Sequence, residues 1–170
     1  MAMISYLTTI RLKEGAVSHL ADDMKAAGIA KPLIITDAGV RAAGLFARVL
    51  AHLPQGDALP VFDGTPSNPT EEAAEAALAL YRAHHCDGLI AIGGGSPMDL
   101  AKAVAVMATH EGPLETFVFV NGGMGRITSA TAPTIAIPTT AGTGSEVGRG
   151  AIISFRDGRK LGGHGGSSGR

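Results

Sequence analysis

"LIAIGGGSPMDLAKAVAV", residues 89–106, sets an apolar run against three consecutive glycines, a Ser-Pro pair and an alanine-rich segment carrying one lysine. A short run of Leu, Ile and Ala bounded by glycine reads as a buried strand, and the segment after the glycines reads as a helix. Gly93, Gly94 and Gly95 can take positive φ and leave the main chain open to close approach. Ser96 is a natural N-cap and Pro97 a favoured first helical residue, so amides and the positive end of a helix dipole are expected to face one spot suited to phosphate. The spacing is neither G-x-G-x-x-G nor G-x-x-x-x-G-K-[ST], so neither standard nucleotide signature is met. The plainer alternative is a tight strand-to-helix turn, with Ser96 and Asp99 as a capping box and Lys102 paired to Asp99 on the helix surface.

Outward from this turn, apolar β-rich runs alternate with helical patterns. "KPLIITD" (31–37), "ALPVFD" (58–63), "DGLIAIGG" (87–94) and "APTIAIPTT" (132–140) read as strands. Between them, "GVRAAGLFARVLAHL" (39–53), "EEAAEAALALYRAHH" (71–85, capped by Thr70) and "SPMDLAKAVAVMATH" (96–110) read as helices. This alternation predicts an α/β fold: a Rossmann-like, open, mostly parallel sheet with helices on both faces. A strand or edge hairpin is expected within residues 4–16, followed by a helix around 17–27. The stretch 111–131 reads as loop with a short strand at 117–120. "AIISF" (151–155) reads as a strand and "RDGRK" (156–160) as a turn. Residues 1–160 are taken as one domain, and the Gly/Ser-rich 161–170 as a flexible tail or an expression scar.

A second stretch, "IPTTAGTGSEVGRG" (137–150), also follows a buried strand and sets Thr139, Thr140, Thr143 and Ser145 among small residues. Hydroxyls and bare amides together can wrap a diphosphate or ribose without adding charge. The alternative is a Thr/Gly loop that satisfies its own backbone. Asp37 ends the strand "LIITD", where a carboxylate can accept from an adenosine ribose, repel a 2′-phosphate, and also cap the following helix.

Composition narrows the function classes. The 170 residues are 45% hydrophobic but only 4% aromatic, with no Trp, so Ala, Val, Ile and Leu must fill the core. A formal net charge of −1 argues against nucleic acid or an anionic membrane as partner. The single cysteine, Cys86, has no partner for an internal disulfide, and the early sequence lacks a secretory signal pattern, so a cytoplasmic setting is expected. "HHCD" (84–87) holds ligand-type side chains, but adjacent histidines at a helix end point apart and nothing elsewhere completes a set.

"GGGSPMDLAK", "PTTAGTGSEV", "ITDAG" and "PSNPT", in this order and spacing, resemble the N-terminal half of the iron-containing (group III) alcohol dehydrogenases, over residues 5–160 or so. The resemblance implies a dinucleotide-binding domain, and the Asp37 carboxylate favours NAD over NADP as its cofactor. The resemblance places Gly94, Gly95, Ser96 and Asp99 around the pyrophosphate, Thr139, Thr140 and Thr143 near adenine and phosphate, Asn68 and Asp37 near the adenosine end, and Lys160 near the nicotinamide ribose. It also implies a small alcohol or aldehyde substrate. Fe2+ or Zn2+ would be held by an Asp and several His from a helical C-terminal half. No residues here match that ligand set, and His164 stands alone in a glycine run. The expectation is therefore cofactor binding without complete catalysis by this chain alone, with a stand-alone nucleotide-binding module as the competing reading. Apolar surface that would meet a second domain makes a homo-oligomer an expected outcome.

Overall fold

The computed structural model describes residues 8–53 and 56–164. Four strands, β1 (Pro32–Ile35), β2 (Val61–Phe62), β3 (Gly88–Gly93) and β4 (Thr134–Pro138), form one parallel sheet in the order β2-β1-β3-β4. The two central strands, β1 and β3, are fully buried along their length. That is why their sequences are continuous apolar runs with no polar alternation.

Side chains alternate across the sheet and feed two separate cores. Ile34, Ile90 and Ile92 pack with Leu20, Val40, Phe46, Val49 and Leu50. These come from α1 (Leu20–Ala26), α2 (Ala38–Ala42) and α3 (Leu45–Leu50). Leu33, Ile35, Leu89 and Ala91 face the other way, against Ala74, Ala77 and Leu78 of α4 (Glu71–Ala83) and Leu100, Ala101 and Val104 of α5 (Gly95–Thr109). Small alanines on α4 and α5 let both helices sit close to the sheet, consistent with so few aromatics. No helix among the described residues is long and apolar enough to cross a membrane.

Several elements differ from the sequence expectation. The single helix read over 39–53 is broken at Gly44, whose φ of 73° lies in the left-handed region, giving α2 and α3. Residues 8–12 form no strand, and the first seven residues lie outside the described ones. In place of a strand at 117–120 there are short 3-10 turns, Leu114–Phe117 and Phe119–Asn121. His110 secures this stretch: its Nε2 accepts from the Thr128 amide at 2.9 Å and its ring meets Phe117 edge-on.

The expected tail from 161 onward also begins differently. β6 (Lys160–His164) pairs antiparallel with β5 (Gly150–Ser154), so residues 161–164 are strand; residues 165–170 lie outside the described ones. The "DG" at 157–158 is the hairpin signal that accounts for this, with Gly158 at φ 83°.

α4 starts where expected, with Thr70 Oγ1 accepting from the Ala73 amide at 3.2 Å. It ends at Ala83 rather than at His85. His85 sits beyond the end at φ 51°, the left-handed conformation that closes a helix and that glycine adopts without steric cost. Since His85 is exposed, His85→Gly should stabilise the fold by about 0.5–1 kcal/mol. A higher urea midpoint with an unchanged slope would show this, and an unchanged or lower midpoint would refute it.

Candidate functional site

The chain runs from β1 out to β2 on one side and then returns to place β3 on the other. The crevice between β1 and β3 is therefore the switch point where open α/β sheets bind ligands. Asp37 follows β1 on one side of this crevice, and the glycine turn follows β3 on the other. Gly93 has a φ of 154°, and a Cβ there would lie 2.5 Å from Pro97 Cγ and 3.3 Å from Asp37 Oδ2, so no other residue fits. Gly94 has ordinary negative φ and Gly95 is the first residue of α5. Of the three glycines able to take positive φ, Gly93 is the one that does.

β3 and β4 leave the sheet in register, Gly93 beside Pro138, and the Thr139 amide donates to Gly93 O at 2.9 Å. Their loops remain in contact beyond the sheet. A Cβ on Gly94 would lie 3.3 Å from Thr140 Oγ1, and one on Gly95 would lie 3.3 Å from Ser145 Oγ and 3.6 Å from Thr143 Cβ. The two side-chain-poor loops expected from the sequence therefore converge at the C-terminal rim. Hydroxyls and glycine backbone meet there. Part of the Thr/Gly loop also satisfies itself, since Thr143 Oγ1 donates to Glu146 and accepts from the Ser145 amide.

Two assignments within the glycine motif change. Ser96 is not the N-cap: Gly94 holds that position without a side-chain cap, and Ser96 Oγ donates to Ser67 O at 2.5 Å. Its hydroxyl ties α5 to the loop that precedes α4. Asp99 is not half of a capping box. Its Oδ2 accepts from the Ile152 amide at 3.0 Å and its Oδ1 lies 3.5 Å from Lys102 Nζ, which itself donates to Gly150 O at 2.8 Å. Both side chains are largely buried. Burial lowers the Lys102 pKa, and the nearby Asp99 carboxylate opposes that shift. The i,i+3 pair is thus a pin that fixes β5 on α5.

Asn68 and Lys160, expected at opposite ends of a dinucleotide, are brought together, with Lys160 Nζ donating to Asn68 Oδ1 at 2.8 Å. The Ser154 amide donates to Pro69 O nearby at 2.8 Å, so the hairpin grips the 64–70 loop. Asp37 keeps its capping role, its Oδ1 accepting from the Val40 amide at 2.8 Å while Oδ2 stands beside Gly93. A cleft of about 410 Å³ opens between the 143–150 segment and the hairpin, lined by Asp99, Phe119, Thr143, Ser145 and Ile152. A further cavity, about 30 Å³ and walled by Val106, Phe117, Ile153 and Phe155, is apolar and has room for little more than water. Phe119, Val120 and Ile152 are 63%, 68% and 50% exposed.

Among the described residues, no three His, Cys, Asp or Glu side chains come together as a metal set. In "HHCD", both histidines are exposed, and burial, with Asp87 adding to it, pushes the Cys86 thiol up to about 11. Lys102 and the Ser67 carbonyl, by contrast, were not singled out from sequence as holding the site together. Their only local signal is the Asp99–Lys102 spacing. Asp99→Ala should lower stability by about 2–3 kcal/mol, because it strands a half-buried ammonium and a strand amide. A loss under about 0.5 kcal/mol in denaturant melts would show that the pin is incidental.

The family model described as iron-containing alcohol dehydrogenase matches residues 8–166. The chain is 56% identical over 164 residues to 4-hydroxybutyrate dehydrogenase of Cupriavidus necator, covering 96% of this chain and 43% of that protein. It is 37% identical over 142 residues to 1,3-propanediol dehydrogenase of Citrobacter freundii, covering 82% and 36%. Among solved structures, sulfoacetaldehyde reductase from Bifidobacterium kashiwanohense in complex with NAD+ superposes with a TM-score of 0.81 at 29% identity, covering 96% of this chain and 44% of that one. The chain thus spans less than half the length of these relatives.

Proposed function

Since the chain belongs to the iron-containing alcohol dehydrogenase family, we propose that it is the NAD-binding part of a metal-assisted oxidoreductase that interconverts a small alcohol and its aldehyde in the cytoplasm. The observation that carries this reading is the meeting of Gly94 and Gly95 with Thr140, Thr143 and Ser145 beside the crevice. Such a cradle suits a diphosphate, which needs close backbone approach and hydrogen-bond donors more than extra positive charge.

In this reading Gly94, Gly95 and the α5 N-terminus receive the pyrophosphate, with Thr139, Thr140 and Thr143 along its other side. Asp37 accepts from the adenosine ribose through Oδ2, because Oδ1 is committed to the α2 cap. Ser96 and Asp99 act as positioning residues, Ser96 holding the 64–70 loop and Asp99 holding β5. Asn68 and Lys160 act as one unit at one end of the bound molecule, since their side chains touch. Bound NAD would supply the hydride acceptor for the alcohol. The described residues do not form a metal site, so a metal would have to be held by side chains outside them. The cited identity makes 4-hydroxybutyrate the first alcohol to assay.

A nucleotide-binding module without turnover is the second reading, favoured by the lack of a metal set among the described residues. Turnover of an alcohol with NAD and Fe2+ or Zn2+ separates the two, whereas enhancement of NADH fluorescence on binding is required by both. Gly95→Val should weaken NADH at least about tenfold, on the order of 1.4 kcal/mol, with the far-UV circular dichroism retained. Unchanged affinity would remove Gly95 from the cradle. Asp37→Gly should tighten NADPH by about fivefold, the removal of roughly 1 kcal/mol of charge repulsion. Glycine replaces an N-cap at a cost of only a few tenths of a kcal/mol, so the fold should tolerate the change. No gain in NADPH affinity would displace Asp37 from the ribose.

A further inference from the structure

Arg41, Asp63 and Asp37 form a group of charges beside the crevice that the reading above uses only in part. Arg41 lies one helical turn after Asp37, its amide donating to Asp37 O at 3.2 Å. Asp63 directly follows β2, and its neighbour Gly64 pairs with Asp37 in an isolated antiparallel bridge. All three residues therefore stand at the C-terminal edge of neighbouring strands. Arg41 Nη1 lies 3.0 Å from Asp63 Oδ2, and the guanidinium is 4.8 Å from the centroid of the Phe46 ring.

The Arg41–Asp63 pair does little for stability. The two side chains are 45% and 54% exposed, and ion pairs open to water contribute little once screening and side-chain ordering are counted. The pair does decide what the guanidinium can bind. A planar guanidinium is the side chain best suited to grip a phosphate with two parallel hydrogen bonds. A nearby arginine is also the usual way for a nucleotide-binding sheet to accept a 2′-phosphate. Here that arginine is turned toward a carboxylate, and Phe46 holds the guanidinium plane in place. The trio is net negative. Removing Asp37 makes it neutral, and removing both carboxylates makes it net positive.

Resting on the dinucleotide reading, we propose that Arg41 is a latent 2′-phosphate anchor kept out of use by Asp63, so that Asp37 and Asp63 together, rather than Asp37 alone, set the preference for NAD over NADP. Asp37 repels the phosphate directly, and Asp63 withholds the cation that would attract it. Loss of Asp37 alone clears the space but leaves Arg41 committed. Loss of Asp63 alone frees Arg41 but leaves the repelling carboxylate in place.

The test is a double-mutant cycle read by fluorescence titration with NADPH, with NADH as reference, on the whole chain. The proteins are wild type, Asp37→Gly, Asp63→Asn, the double variant, and the double variant with Arg41→Gln. Each single change should tighten NADPH by less than about tenfold, and the double by about 100-fold or more, exceeding the product of the singles. Adding Arg41→Gln should return the double variant to within about threefold of Asp37→Gly. Wild type binding NADH while the double variant gains no more than the product of its singles would overturn the inference and leave the dinucleotide reading intact. A gain that survives Arg41→Gln would overturn it equally. If folded wild type binds no NADH, the dinucleotide reading fails and takes this inference with it.

Discussion

At Gly93 the buried strand β3 must become the helix α5 within two residues, while Pro97 and Asp37 stand where a side chain would go. That steric constraint organises the C-terminal rim. With no Cβ at Gly93, α5 can start directly over the end of its strand. The main chain at 94 and 95 then lies against Thr140, Thr143 and Ser145, because β4 leaves the sheet beside Gly93 and is bonded to it by the Thr139 amide. The small-residue cradle follows from parallel register and one glycine, with no dedicated binding side chain needed to build it.

A cradle built from loops must be held by something stiffer. The β5–β6 hairpin does this from outside the sheet. Asp99 and Lys102 reach from α5 to the Ile152 amide and the Gly150 carbonyl. Lys160 and Pro69 O join the same hairpin to the loop before α4, and Ser96 fastens that loop to α5. The polar residues of the glycine motif thus spend their hydrogen bonds on the frame, and the bare backbone is left facing the crevice. At the β1–β2 edge, Asp37 and Asp63 outnumber Arg41, so that corner of the rim is net acidic.

Much of this was legible in the sequence, for identifiable reasons. β1, β3 and β4 are short apolar runs ending in turn residues; β1 and β3, buried on both faces, carry that pattern strongly, whereas β4, read as buried, is a half-exposed edge strand. Thr70 and Asp37 were readable as caps because a cap is a local hydrogen bond. The convergence of the two small-residue loops followed from the rule that loops after parallel strands share one rim. What escaped was of two kinds. Gly44 is a local break hidden in the reading by the apolar pattern of residues 39–53, and the return strand β6, after a turn at 156–160 that was read as one, was hidden by the glycine content after residue 160. The Ser96–Ser67, Asp99–Ile152 and Asn68–Lys160 contacts join residues 29, 53 and 92 positions apart. No spacing rule reports such contacts, so the bracing hydrogen bonds of Ser96 and Asp99 were not legible and Ser96 read as an N-cap, a position Gly94 holds.

The central claim is that two loops form one diphosphate site, and residue-resolved amide chemical shifts during a titration with NAD test it most directly. The account predicts that amides of Gly94, Gly95 and Ser96 shift together with those of Thr139, Thr140 and Thr143 along a single saturation curve, with the amides of α1 and the 111–131 segment unmoved. Shifts confined to one loop, or two loops saturating at different concentrations, would contradict it.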